Sequence, residues 1–329
     1  MRQPRLGWRI ESDEQNVMQT AYHILVASSA DLLAQGKGDI WDSGKIESDA
    51  SQWIAYQGKP LKRNARYYWK VKVYTNRGEA DWSAPAFWSM GLLNEADWQG
   101  QWIGLDRTTP GDSETQWSRL AARYLRKEFA LSKEVKRATV HIAGMGLYEL
   151  FINGQRIGDQ VLAPAPTDYR KTILYNTYDV TPQLRKENAI GVTLGNGRFY
   201  TMRQNYKPYK IPTFGYPKLR LNLIVEYMDG SKETIATNTS WKLTTEGAIR
   251  SNNEYDGEEY DARKELGNWT QSGYDDKSWI AAQRVSIPSG TLRAQIMPGM
   301  KVMDTLKPVS IQKLGDKYIL DFGQNMAGW

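Results

Sequence analysis

The chain has 329 residues and a formal net charge of +6, with lysines and arginines scattered among acids rather than blocked. That pattern argues against a nucleic-acid footprint. There is no cysteine, which excludes disulfides, zinc–thiolate centres and thiol nucleophiles, and no run of about 18 apolar residues that could cross a membrane as a helix.

The length suits two or three domains. The bias that stands out is 13 Trp and 19 Tyr, side chains that fill β-sandwich cores and stack on sugar faces. Residues 1–93 read as one small all-β domain, with candidate strands at Ala21–Val26, Gln52–Tyr56 and Tyr67–Tyr74. In the last of these Tyr67, Trp69, Val71 and Val73 face one way and Tyr68, Lys70 and Lys72 the other. This predicts a buried Trp69 and Val71. Leu61 lies six residues before Tyr67, the spacing of a tyrosine corner, in which the phenol ties down the loop leading into the strand. Asn76-Arg77-Gly78 turns the chain towards a last strand near Phe87–Met90. The whole reads as a fibronectin type III or immunoglobulin-like sandwich. Trp41-Asp42-Ser43-Gly44 reads as a packed turn, with a binding loop as the alternative, and Gly91–Asp97 as a linker.

Residues 98–290 read as a second β-domain. Its strands include Arg123–Phe129, Ala138–Ile142 and Leu147–Ile152, the last followed by Asn153-Gly154, a strong hairpin signal. A Tyr-rich strand, Ile173–Val180, follows a polar loop at Pro164–Lys171. The β-branched run Ile190–Leu194 ends in Gly195-Asn196-Gly197-Arg198-Phe199-Tyr200, where two glycines around an Asn permit a sharp turn. Leu219, Leu221, Leu223, Val225 and Tyr227 share one face of a further strand, closed by Asp229-Gly230. Many short strands between Gly and Asn turns argue for a jelly roll. From 291 the character changes. Lys307–Ile311 and Lys317–Phe322 form a candidate hairpin, the start of a third β-domain. Trp329 falls where another strand should begin, so the chain is expected to be a piece of a longer protein.

Several stretches in this order resemble the N-terminal part of bacterial α-L-rhamnosidases. They are Pro4–Ser12, Trp41–Lys45, Arg66–Val73, Gly146–Gly154, Tyr175–Thr181, Gly195–Tyr200, Tyr255–Arg263 and Asp321–Trp329. No single motif is specific; their order over nearly the whole chain carries the resemblance. It implies an all-β chain of tandem sandwiches, a fibronectin-like domain and then a galactose-binding-like jelly roll. Catalytic carboxylates would lie further on, in an (α/α)6 barrel. The implied reaction is inverting hydrolysis of terminal α-L-rhamnosides, which needs an acid and a base roughly 6.5–9.5 Å apart. Asp256, Glu258, Glu259 and Asp261 crowd one loop, but acidic clusters in loops are usually solvated surface. No catalytic residue is therefore assigned, and the piece alone should be inactive. Implied partners are a rhamnose-containing glycan and the catalytic part itself, with neither nucleic acid nor membrane. A periplasmic or secreted location is expected, although Arg2, Arg5 and Arg9 break up any apolar signal segment. The alternative is a stand-alone carbohydrate-binding or adhesion module.

The candidate sugar site is the rim of Asp168, Tyr169, Asn196, Arg198 and Tyr200. Sugar hydroxyls match Asp, Asn and Arg, and an apolar C–H face matches Tyr. The family usually places Trp after Gly-Asn-Gly, where this sequence has Arg198. Some relatives bind rhamnose with the help of calcium, a cation that takes six to eight oxygens. Asp168 and Asn205 are the metal candidates. His23 and His141 stand alone in strand patterns and are read as strand residues.

Overall fold

In the computed structural model, which describes residues 2–107, 120–200, 214–255 and 257–326, the regular structure of the first 93 residues is strand apart from one short helix. In chain order they are β1 (Arg5–Leu6), β2 (Gln19–Ala27), the short helix α1 (Ala30–Ala34), β3 (Trp41–Glu47), β4 (Ile54–Ala55), β5 (Arg66–Thr75), β6 (Gly78–Trp82) and β7 (Ala86–Ser89). One sheet runs β3-β2-β5-β6 with β7 also on β5, and a β1–β4 ribbon pairs separately. Ile24, Val26, Trp41, Tyr67, Val71 and Val73 from the sheet meet Leu6 and Ile54 from the ribbon in one core. Tyr67 makes the expected corner: its hydroxyl accepts from Lys62 N at 2.8 Å. Val71 is buried, but Trp69 only half so, packing at the margin of the core. Trp41–Gly44 is a strand with a bulge rather than a turn. The register slips between His23 and Leu25, and Ser43 Oγ accepts from the Ile24 amide at 2.8 Å.

The jelly roll follows. Its strands are β8 (Ile103–Gly104), β9 (Arg123–Ala130), β10 (Val135–Met145), β11 (Leu147–Ile152), β12 (Gln155–Arg156), β13 (Thr172–Asp179), β14 (Glu187–Gly195), β15 (Lys218–Tyr227), β16 (Lys232–Ala236), β17 (Lys242–Thr244), β18 (Ile249–Asn253), β19 (Gly257–Tyr260), β20 (Ile280–Ala281), β21 (Gln283–Arg284) and β22 (Thr291–Ala294). One sheet has the order β21-β8-β15-β10-β13-β22 with β16 beside β15, and the other β12-β11-β14-β9-β17-β20. Asn153 and Gly154 take φ of 51° and 82° in the tight β11–β12 turn. Leu219, Leu221, Leu223, Val225 and Tyr227 face inward from β15 to meet Leu125, Leu150, Ile190, Val192 and the fully buried Trp241. Hydrophobic faces of two sheets closing on each other supply the main driving force for this unit. A last hairpin, β23 (Ser310–Leu314) and β24 (Lys317–Asp321), pairs only with itself among the described residues.

The outward face of β15 should be solvated, yet Arg220 and Asn222 on it are buried. The first sandwich and the segment after it cover them. Arg220 pairs with Glu95 and donates through Nε to Gly100 O at 2.6 Å. Asn222 Oδ1 accepts from Gly100 N at 2.8 Å. Beside them Arg137 pairs with Glu226 at 2.6 Å and also reaches the Asn64 carbonyl, while Arg66 pairs with Asp179 at 2.7 Å. The Tyr175 hydroxyl donates to Leu92 O at 2.8 Å. Gly91 lies so close to that hydroxyl that a Cβ there would overlap it. Gly91–Asp97 is thus a packed joint rather than a loose linker. His141 is wholly buried here. Burial, with Arg137 adding, pushes its pKa down to about 4. A neutral ring with the proton on Nε2 satisfies both neighbours: Nε2–H donates to Asn64 Oδ1 at 3.1 Å and Nδ1 accepts from Thr177 Oγ1 at 3.0 Å.

Candidate functional site

The Gly195–Tyr200 turn follows β14. Gly197 takes φ +49°, and a Cβ there would strike the Leu147 side chain. Asn196 is buried, its Nδ2 donating to Leu120 O at 2.8 Å and its backbone N to Asn252 Oδ1 at 2.6 Å. The Asn196 carbonyl accepts from Phe199 N and Tyr200 N at 3.0 and 3.3 Å, closing the turn. Phe199 then points inward. It meets Tyr169 edge-on at 5.2 Å and stacks on Phe214 at 6.0 Å. Tyr200 stacks on Tyr216 at 5.5 Å. Tyr169 and Tyr200 are buried, and burial pushes the Tyr169 hydroxyl up to about 12, against the opposing pull of Arg198.

Asp168 and Arg198 reach the surface. Arg198 Nε pairs with Glu254 at 2.9 Å, and its Nη2 donates to the Tyr255 hydroxyl at 3.2 Å. Asp168 is held by Arg170, whose Nε and backbone N reach the same carboxylate oxygen at 3.0 and 3.2 Å. This hydrogen bonding to Arg170 keeps the carboxyl below its ordinary range. The five rim residues therefore divide: Tyr169, Asn196 and Tyr200 build the turn and its aromatic packing, and Asp168 and Arg198 present charge outside it. Sequence reasoning missed Glu254 and Arg170, the ionic partners of the two surface members. Glu254 adjoins the Tyr255–Arg263 stretch and Arg170 lies within the polar loop Pro164–Lys171, but ion pairing has no local sequence signal.

Of the two metal candidates, the structure describes Asp168. Asp168 already serves a guanidinium, with Lys171 Nζ 3.9 Å from its other oxygen. Among the described residues no three His, Asp or Glu side chains gather to hold a metal. Asn205 and Asp256 lie outside the described residues. Glu258 and Glu259 are exposed on β19. Asp261 caps the short turn Ala262–Lys264 by accepting from Arg263 N, and its side-chain hydrogen bond with Arg263 lowers its pKa to about 2.

An immunoglobulin-like sandwich docked through buried polar contacts onto a jelly roll is the class that this fold defines. The profile described as "Rha78A-like, N-terminal immunoglobulin domain" matches residues 1–94, and that of "Alpha-L-rhamnosidase N-terminal domain" matches residues 133–304. The chain belongs to the latter family, the N-terminal domains of α-L-rhamnosidases. An α-L-rhamnosidase of Formosa agariphila is 41% identical over 99% of this chain and 36% of its own length. One from an Alteromonas species is 34% identical, with 99% and 36% covered. Among solved structures, the α-L-rhamnosidase of Dictyoglumus thermophilum superposes with a TM-score of 0.87 at 39% identity, over 98% of this chain and 36% of that one. The Streptomyces avermitilis α-L-rhamnosidase, solved with L-rhamnose, gives 0.85 at 25% identity, over 99% of this chain and 47% of that one. The chain spans about a third of the length of the first curated relatives that it matches.

Proposed function

We propose that the chain is the accessory, non-catalytic N-terminal part of an α-L-rhamnosidase whose whole polypeptide hydrolyses terminal α-L-rhamnosides with inversion. The observation that carries this is the alignment of 99% of the chain with only 36% of a curated rhamnosidase. The acidic cluster adds support, since Glu258 and Glu259 face open solvent and Asp261 serves a cap. In this reading the two sandwiches brace the catalytic part, and the β23–β24 hairpin docks on it. Ile311, Leu314, Tyr318, Ile319 and Leu320 of that hairpin are all at least half exposed. An isolated two-stranded hairpin is marginal in water, and contiguous exposed apolar surface marks an interface. The half-buried Asp168 and the exposed Arg198 would offer weak contacts to a terminal rhamnose.

The test is hydrolysis of an aryl α-L-rhamnoside. The whole polypeptide should release phenol and residues 1–329 alone should not. Turnover by the 329-residue chain, abolished by Glu258→Ala, would place the chemistry here and overturn the reading. Titration calorimetry with L-rhamnose reads the rim separately: a response lost in Asp168→Ala supports sugar contact, and a flat trace leaves the docking role alone.

A further inference from the structure

The immunoglobulin-like sandwich carries a second surface, separate from the rim of the jelly roll. Just before β4, Trp53 sits at φ +62°, the left-handed region that bulky side chains avoid. It also leaves 71% of its surface in solvent. A strained backbone that aims a large apolar ring outward is disfavoured on both counts, and such outliers gather at ligand-binding positions. The Arg5 guanidinium lies over the ring, 5.0 Å from its centroid. The β1–β4 register sets Arg5 opposite Ala55, diagonal to position 53.

Arg5 also lines an open cleft of about 820 Å³, together with Arg2, Gln3 and Gln57. Among the described residues no Asp or Glu lines this cleft. Among the described residues neither Arg2 nor Arg5 has an ion pair; Arg2 donates to the Asn94 amide oxygen at 2.6 Å. By contrast, Arg63, Arg66, Arg126, Arg137, Arg198 and Arg220 all meet carboxylates.

We infer that this face binds an anionic glycan, with one pyranose ring stacked on Trp53 and its acidic group held by Arg5 and Arg2. An indole face suits the C–H face of a pyranose. A guanidinium free of protein carboxylates suits a uronate carboxylate or a sulfate ester, both of which accept paired N–H donors. The Gln3 and Gln57 amides can pair with hydroxyls. A cleft of this size lies within the range of small-ligand sites, about 300–1,000 Å³. The choice of a glycan over other anions rests on the rhamnosidase reading, but the two are tested apart, because binding here is measured without turnover.

The experiment is titration calorimetry of the 329-residue chain with tetragalacturonate, with a sulfated galactan tetrasaccharide and with neutral galactotetraose. Binding is expected in at least one acidic arm, which identifies the acidic group, and should be at least tenfold weaker in the neutral arm. Trp53→Asn should weaken it at least tenfold without lowering Tm, because Asn tolerates a left-handed φ; loss of binding is thereby separated from loss of fold. Arg5→Ala should weaken it similarly and flatten its salt dependence, and Arg5→Lys should retain part. Flat traces in both acidic arms, equal affinity for the neutral sugar, or full affinity in Trp53→Asn would each overturn the inference.

Discussion

The joint between the sandwiches can be tested with two substitutions whose costs should not add. Gly91→Ala places a methyl group where the Tyr175 hydroxyl lies. Overpacking of this kind costs about 1–3 kcal/mol. Tyr175→Phe removes that hydroxyl and leaves the buried Leu92 carbonyl without its donor, at a cost of about 1–3 kcal/mol. In the double variant the worst clash has gone with the hydroxyl. The next ring atom, Cζ, stands 3.1 Å from the new methyl, a tight contact that small shifts can relieve. The Leu92 carbonyl is then lost only once, and the methyl fills part of the vacated space. The double variant should therefore sit close to Tyr175→Phe alone, with a coupling of about 1–3 kcal/mol in favour of the pair. Urea denaturation of the wild type, both single variants and the double variant, followed by tryptophan fluorescence and by circular dichroism, measures the cycle. Costs that simply add within about 0.5 kcal/mol would refute the reasoning, because they would mean that Gly91 and Tyr175 do not touch.

Two further outcomes follow from the same geometry. His141 is held neutral with its pKa at about 4, below its unfolded value of about 6.5. Between those values the unfolded chain binds the extra proton, so stability falls as the pH drops through that window, by on the order of 3 kcal/mol. His141→Gln should flatten that part of the stability–pH curve, and an unchanged slope would show that another group titrates. Tyr67→Phe removes the acceptor for Lys62 N and should cost about 1–2 kcal/mol, lowering the urea midpoint with little change in the m-value.

What could be read in the sequence was what repeats or recurs at short range. The alternation in Leu219–Tyr227, the Asn153-Gly154 turn and the six-residue step from Leu61 to Tyr67 each need only neighbours along the chain, and each takes the expected form. Burial of single aromatics was not legible. Tyr169 looks like a sugar platform until Phe199 and Phe214, 30 and 45 residues on, close over it. The Gly91–Asp97 joint looks like a linker because its partners, Tyr175, Arg220 and Asn222, stand some 80 to 130 residues away. Trp53 was read inside a strand, since no residue pattern announces a tryptophan at positive φ. The polar face of β15 shows the general reason. Arg220 and Asn222 are ordinary surface residues for a lone jelly roll, and only the sandwich docked above makes them interior.

The parallel pairing of Thr172–Tyr175 with Thr291–Ala294 bears on where the polypeptide can be divided. Without β22, one long flank of β13 would stand open, with its amides and carbonyls bare beside Ile173 and Leu174. Such a flank is a template on which a second molecule can lay a strand. The four residues from Thr291 to Ala294 therefore act as a guard for the sheet. A jelly roll trimmed at residue 290 would keep its core and lose that protection, becoming prone to self-association rather than unfolded.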